Sequence, residues 1–356
     1  MKAYALHAIN DLRYENVQEP KLKDNEVLVK VKAAGICGSD IPRIYQTGTY
    51  SFPLIPGHEF SGVVEAAGAG ADEQLIGRSV GVFPLIPCRK CIPCQNGQFE
   101  LCRHYSYLGS RTDGGFAEYV AVPQENLIEL PGNVTYEQAA MLEPMAVAVH
   151  AMRKAGVTGE QTVAVYGLGT IGLLLCMFLK EAGVEQVFAI GNKDFQKKQV
   201  MAMGIPAENY CDGRCENVSE WLAARTQNYG VDTFFECVGK AETINQAILN
   251  TAPEGTVQLI GNPASDILLD KNIYWKILRN QLTVKGSWNS SFTYSEQDDW
   301  HYVLKRLGEG KIAPQTLISK RLAFDELEEG FLIMRDKTQD CLLYTSPSPR
   351  DRSLSR

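Results

Sequence analysis

The sequence predicts an α/β protein in which a β-rich region is followed by a doubly wound parallel sheet. Residues 1 to about 150 carry short runs such as "EVLVKVKAAGIC", "FSGVVEAAG" and "SVGVFPLI", separated by Gly and Pro turns, and these read as strands. From about residue 160 to 285 the pattern changes to strand "TVAVYG", helix "IGLLLCMFLKEAG", strand "QVFAI", helix "DFQKKQVMAMG", strand "DTFFECVG", helix "AETINQAILNTA" and strand "TVQLIG". Strands alternating with helices imply right-handed crossovers and a mostly parallel sheet. The length agrees: 356 residues with 45% apolar content suit two domains.

Composition narrows the partners. A net charge of -7 disfavours broad contact with nucleic acid or anionic membranes, which needs clustered Lys and Arg. No apolar run reaches membrane-spanning length, and the start "MKAYALHAINDLRYENV" has no secretion-signal pattern. The expectation is a cytoplasmic protein that acts on small molecules.

Ten cysteines, four of them within "CRKCIPCQNGQFELC", do not resemble a secreted disulfide framework. The spacing C-x2-C-x2-C-x7-C at Cys88, Cys91, Cys94 and Cys102 suits four thiolates around one structural Zn2+, with Pro87, Pro93 and Gly97 bending the loop. An iron-sulfur cluster is the competing reading. Such a closed site leaves no coordination position for chemistry.

In "GLGTIG", Gly167, Gly169 and Gly172 fall between a strand and an apolar helix, where glycines admit a pyrophosphate to a helix N-terminus. This context predicts a Rossmann dinucleotide site including Thr170 and Ile171, with Val238 and Gly261 at later strand ends. The next strand ends in Gly191, Asn192 and Lys193 rather than in an acid that would hold a ribose 2'-hydroxyl. Lys193, with Lys197, offers a cation for a 2'-phosphate, so NADP is preferred over NAD; the alternative is a solvated lysine and a loose preference.

A second set of metal donors is dispersed: Cys37 in "GICGSD", His58 and Glu59 in "GHE", and Glu143 in "LEP". A thiolate, an imidazole and carboxylates at Gly- and Pro-marked turns are able to form a three-ligand zinc site with an open position, although spacing alone does not bring them together. With "GHEFSGVV", "DGGFAEY" and "FECVG" in the same order, the chain over roughly residues 1 to 340 resembles the zinc-dependent medium-chain alcohol and polyol dehydrogenases.

That resemblance implies a GroES-like catalytic domain over 1–150, a Rossmann domain over 151–285, a return to the catalytic domain over 286–341, and a cleft between domains for substrate and cofactor. It implies two zinc ions per chain. Cys37, His58 and Glu143 would hold the catalytic zinc, Glu59 would be an alternate ligand, Asp40 would orient His58, and Ser39 would hydrogen-bond the reacting hydroxyl. Zinc would stabilise an alkoxide that gives hydride to NAD(P). Where some members continue the proton relay with a histidine, this chain has Pro42.

"CGSDIPRIYQTG", "GSRTDGGFAEY" and "KGSWNSS" are most similar to the branch converting galactitol 1-phosphate to tagatose 6-phosphate. The implied substrate is a polyol phosphate or polyol, with Arg43 and Arg111 as phosphate contacts and Trp288 and Asn289 lining the sugar pocket. Sorbitol, ribitol-5-phosphate and threonine dehydrogenases are alternatives, as is a non-catalytic cofactor-binding protein. A homodimer or homotetramer is expected, with an edge strand pairing across a two-fold axis. The segment 342–356, "LLYTSPSPRDRSLSR", lacks core periodicity; it is expected to be a non-native or disordered tail whose removal leaves activity unchanged.

Overall fold

Period-two alternation builds the first unit. The strand Glu26–Gly35 (β3) turns Val27, Val29 and Val31 into the core while Glu26, Leu28 and Lys30 stay half-buried, as a sheet with one covered face requires. A hairpin of Lys2–Ala8 (β1) and Asp11–Asn16 (β2) precedes it. Glu59–Ala67 (β4), Ser79–Val82 (β5), Leu85–Ile86 (β6), Ser106–Tyr107 (β7), Tyr119–Pro123 (β8) and Leu127–Glu129 (β9) follow. The computed structural model describes residues 1–337 and 343–347. They divide into one unit of Met1–Glu143 with the chain from Ser291 onward, and a second of Pro144–Ser290.

The second unit is a six-stranded parallel sheet. Its strands are Thr162–Tyr166 (β10), Gln186–Gly191 (β11), Tyr210–Asp212 (β12), Val231–Glu236 (β13), Thr251–Leu259 (β14) and Thr283–Gly286 (β15), in the order β12-β11-β10-β13-β14-β15. The order reverses between β10 and β13, and open α/β sheets bind ligands beyond the carboxyl ends of the strands at such a point. Burial of Val163, Ala164 and Val165 in β10 and of Leu173, Leu174, Leu175 and Phe178 in the helix Thr170–Glu181 explains why these segments read as continuous apolar runs.

The first boundary between these units lies between 143 and 144 and the second between 290 and 291. No loop marks the first, because the helix Leu142–Ala155 runs through it. On returning to the first unit the chain forms Ile318–Arg321 (β16) and Leu343–Pro347 (β17). The larger sheet has the order β16-β17-β3-β4-β5-β9, with β8 also on β3. Its core gathers Val64, Val80, Val82, Phe116, Phe324 and Phe331 around the valines of β3.

β17 differs from the expectation for 342–356. It runs parallel to β16 and antiparallel to Ala33–Gly35 of β3. Ladder pairing needs backbone N–H and C=O groups, so missing apolar alternation does not exclude a strand. Residues 338–342 and 348–356, where the rest of that expectation falls, lie outside the described residues. Among the described residues no helix is long and apolar enough to cross a membrane.

A chain ended at residue 342 would leave Ala33–Gly35 and β16 without these ladder bonds. A thermal melt should show a lower Tm, by roughly 2–4 °C for each kcal/mol lost; an unchanged Tm would mean that β17 adds no stability.

Candidate active site and metal centres

The end of β3 and the start of β4 place the first donors. Gly35 pairs with Glu59, so Cys37 emerges beside His58 and Glu59. A Cβ on Gly35 would lie 2.5 Å from Glu59 Oε2, and glycine therefore leaves room for the carboxylate. One ligand atom each from Cys37, His58 and Glu59 lies within 4.8 Å of the others. Glu143, in the first turn of Leu142–Ala155, borders this set: its charge acts on Glu59, and its Oε1 accepts from the Tyr107 hydroxyl at 3.1 Å.

Asp40 lies beneath the cluster with no exposed surface. Its Oδ2 accepts from the Cys37 backbone N–H at 3.1 Å, and its Oδ1 accepts from Arg43 at 2.9 Å and stands 3.4 Å from His58 Nδ1. Asp40 thus faces Nδ1 and leaves Nε2 of His58 for another partner. Ser39 Oγ donates to Cys37 Sγ at 3.2 Å. Arg43 is consequently paired with Asp40 inside the site.

Charge at this cluster is under strain. Burial, and then the charge of Glu143, push the Glu59 carboxyl up to about 8. Burial also raises Glu143 and Cys37, against the opposing charge of His58. His58 itself is held well above its ordinary value, because Asp40 and Cys37 outweigh its burial. Glu59 Oε2 has no hydrogen-bond partner. A buried thiol, imidazole and carboxylates with an orphaned oxygen fit a divalent cation, which supplies the missing charge and a ligand for that oxygen.

The four-cysteine loop fits a metal by distance. Sγ–Sγ separations are 4.0 Å for Cys88–Cys94, 3.5 Å for Cys91–Cys94 and 3.9 Å for Cys91–Cys102. Four sulfurs at about 2.3 Å from one zinc stand about 3.8 Å apart, whereas a disulfide needs about 2.05 Å. All four ligand atoms lie within 4.8 Å of one another.

In the second unit Gly167 has φ +97°, and a Cβ there would meet Val238 Cγ2 at 2.5 Å; one on Gly172 would meet the Gly167 carbonyl oxygen at 2.0 Å. Gly261 packs in the same way on Gly239. Gly169 caps the helix Thr170–Glu181, has no side-chain cap bond, and opens to space where its Cβ would be. These first-turn N–H groups fit a pyrophosphate.

Several functional neighbours escaped the sequence reading. Buried Gln196 accepts from Asn192 N–H at 2.9 Å and donates to the Leu168 carbonyl at 2.8 Å, tying the glycine turn to the end of β11. Glu236 accepts from the backbone of Val238 and Gly239 and from Thr243, fixing the turn against Gly167. Arg214 pairs with Asp212 and Asp194 close to Lys193, whose carbonyl accepts from Tyr210. Tyr107 has only the local signal of an aromatic residue after the cysteine loop.

The expected substrate contacts fall in both units. Arg111 is stacked between Tyr50 and Tyr105, at 4.4 and 4.1 Å from the ring centroids, and donates to Tyr50 Oη and to the Tyr105 carbonyl. Trp288, 58% exposed, and Asn289, whose Oδ1 accepts from Ser290 N–H, belong to the second unit.

Residues 23–132 match the alcohol dehydrogenase GroES-like domain and residues 170–309 the zinc-binding dehydrogenase domain. Galactitol 1-phosphate 5-dehydrogenase of Escherichia coli K12 is 34% identical over 317 residues, covering 87% of this chain and 90% of its own. L-threonine 3-dehydrogenase of Bacillus licheniformis is 32% identical, covering 90% and 92%. The crystal structure of E. coli galactitol-1-phosphate dehydrogenase aligns with a TM-score of 0.90 at 30% identity, over 98% of this chain and all (100%) of that one. A zinc-binding dehydrogenase of Sinorhizobium meliloti 1021 bound to NADP aligns at 0.88 with 29% identity, over 97% and 98%. An alcohol dehydrogenase of E. coli CFT073 complexed with NADH also aligns at 0.88, with 26% identity over 98% and 99%.

The raised Glu59 carboxyl has a sign that stability measurements read. A folded-state value near 8, above the usual 4.5, stabilises the metal-free protein at low pH, and this is lost as pH rises from about 4.5 through 8. Metal-free Glu59→Gln should lose less Tm than the parent across that window. Parallel Tm–pH curves would show that Glu59 is not the source.

Proposed function

Because the chain belongs to the zinc-binding alcohol dehydrogenases, we propose that it oxidises a secondary alcohol of a polyol phosphate, of the galactitol 1-phosphate type, with NAD(P). The buried meeting of Cys37, His58 and Glu59, with Glu143 beside them, carries this reading. A non-catalytic scaffold has no need to bury such a donor set. The strand order of the six-stranded parallel sheet and the glycine turn support a dinucleotide on the second unit.

Cys37, His58 and Glu143 would hold the catalytic zinc, with Glu59 as the alternate carboxylate and Cys88, Cys91, Cys94 and Cys102 holding the structural ion. When bound, zinc supplies a Lewis acid for the substrate hydroxyl, and the nicotinamide supplies the hydride acceptor. Asp40 orients His58 through Nδ1, and Arg43 fixes Asp40 in turn. Ser39, beside Cys37, is placed to relay the hydroxyl proton, accepting it while passing its own toward solvent as the alcohol ionises. Gly169 admits the pyrophosphate to the helix N-terminus. NADP is the favoured dinucleotide: the end of β11 offers Asn192 and Lys193, and the S. meliloti relative binds NADP. Four ligating thiolates suit a reducing compartment such as the cytoplasm.

The second unit's edge supports an oligomer. All four residues of β15 are exposed, and no strand among the described residues pairs with its outer side. Val284 of β15, Trp288 just after it, and Tyr274, Trp275 and Leu278 of the preceding helix Lys271–Arg279 are exposed. An open apolar edge of this kind pairs with a second copy across a two-fold axis.

Nicotinamide absorbance with zinc-loaded protein tests the substrate. Galactitol 1-phosphate should turn over faster than galactitol, with NADP preferred, and Arg111→Ala should raise KM for the ester by about tenfold or more if one charged hydrogen bond is lost. Equal turnover of both alcohols would refute the phosphate ester as substrate. Sedimentation tests the oligomer: Val284→Lys with Leu278→Glu should yield monomer, and an unchanged mass would place the contact elsewhere.

A further inference from the structure

We propose that Tyr107 is a positioning residue that holds Glu143 and His58 in the arrangement that receives the catalytic metal; the inference rests on the metal reading above. Two contacts carry it. The Tyr107 hydroxyl donates to Glu143 Oε1 at 3.1 Å, and its ring meets the His58 ring edge-on with centroids 5.8 Å apart. One side chain thus touches two donors that arrive from different parts of the chain.

The backbone around Tyr107 is fixed from both sides. β7 pairs with β6, Leu85 opposite Tyr107, and Leu108 N–H donates to the Pro84 carbonyl. The Tyr107 carbonyl accepts from Arg111 N–H at 2.9 Å, closing the following turn. That turn packs directly on the residue before His58. A Cβ on Gly109 would stand 2.4 Å from the Gly57 carbonyl oxygen, and one on Gly114 would stand 2.1 Å from it. Side chains at these positions would push the turn, and Tyr107 with it, away from His58.

The hydrogen bond occupies Oε1 of Glu143 and leaves its other oxygen for a metal, which selects one carboxylate orientation. The ring edge limits rotation of the His58 imidazole, whose Nδ1 faces Asp40. Partners of this kind around a metal typically contribute 10–100-fold in affinity or activity. The four-cysteine loop lies between β6 and β7, so the ribbon that bears Tyr107 also closes that loop.

Cobalt uptake by the metal-free chain, followed by absorbance and by competition with a chelator, tests the proposal. Four-thiolate cobalt has an intense sulfur charge-transfer band that reports folding of the cysteine loop, while the mixed site reports through its own d–d bands. The parent should bind two ions per chain. Tyr107→Phe should keep the four-thiolate band but bind the second ion roughly 10–100-fold more weakly, with altered d–d bands. Tyr107→Met, which removes the ring edge as well, should weaken it further and supplies the same comparison if the Phe variant lacks the folding band. Unchanged affinity and d–d bands in both variants would overturn the role of Tyr107. A parent that binds only the four-thiolate ion would overturn the metal reading and this inference together.

Discussion

Burial of an excess of acid at the end of β3 is the constraint around which the first unit is arranged. Cys37, Asp40, Glu59 and Glu143 share a site with one imidazole and one guanidinium, those of His58 and Arg43. Moving an unpaired charge from water into the interior costs several kcal/mol, so such a cluster persists by taking up protons or a cation. Asp40 shows the contrast. It is as buried as its neighbours, yet His58 and Arg43 hold its carboxyl below the usual value. At Glu59 and Glu143 burial outweighs the lowering charge of His58, and both carboxyls are driven upward. Asp40 is neutralised by protein side chains, whereas Glu59 and Glu143 stay raised, as suits the carboxylates proposed to meet the metal.

Keeping these groups together depends on close approach of backbones. Gly35 yields space to the Glu59 side chain, and Gly57 is met by the backbones of Gly109 and Gly114. These contacts join three distant stretches of chain, which no local helix or hairpin does. The second unit solves a different problem in the same way: Gly167, Gly172 and Gly261 bring strand ends together while Gly169 leaves a helix N-terminus open. In one unit glycine makes room for side chains, and in the other for a ligand.

Legibility of the sequence tracked the locality of the signal. The cysteine spacing and the glycine turn are local, so loop geometry and crossover logic made both readable without knowledge of the rest. The parallel sheet was readable because each strand and helix carries its own periodicity. Cys37, His58, Glu59 and Glu143 were readable only through resemblance, since their meeting depends on the β3–β4 register and on a helix start far along the chain. Tyr107, Gln196 and the Arg43–Asp40 pair were not legible, because they act through long-range or buried hydrogen bonds that leave no pattern. β17 was missed for another reason: its pairing is written in backbone groups and not in side chains.

The metal cluster does not choose the alcohol, because relatives that share the scaffold include both a galactitol-phosphate and a threonine dehydrogenase. Selection has to come from groups near the cluster that are not already committed. Arg43 is bound to buried Asp40, and drawing it toward a phosphate would loosen the carboxylate that faces His58. Arg111 differs. Two tyrosine rings clamp its guanidinium in a fixed plane, its two hydrogen bonds use fewer N–H groups than it has, and Tyr105 leads by an edge-on contact to Tyr107 at 6.3 Å. A planar cation held in place before binding loses little freedom when it meets an anion. Under the proposed function Arg111 is therefore the better candidate of the two for the phosphate contact, while Arg43 is held by Asp40 beside His58.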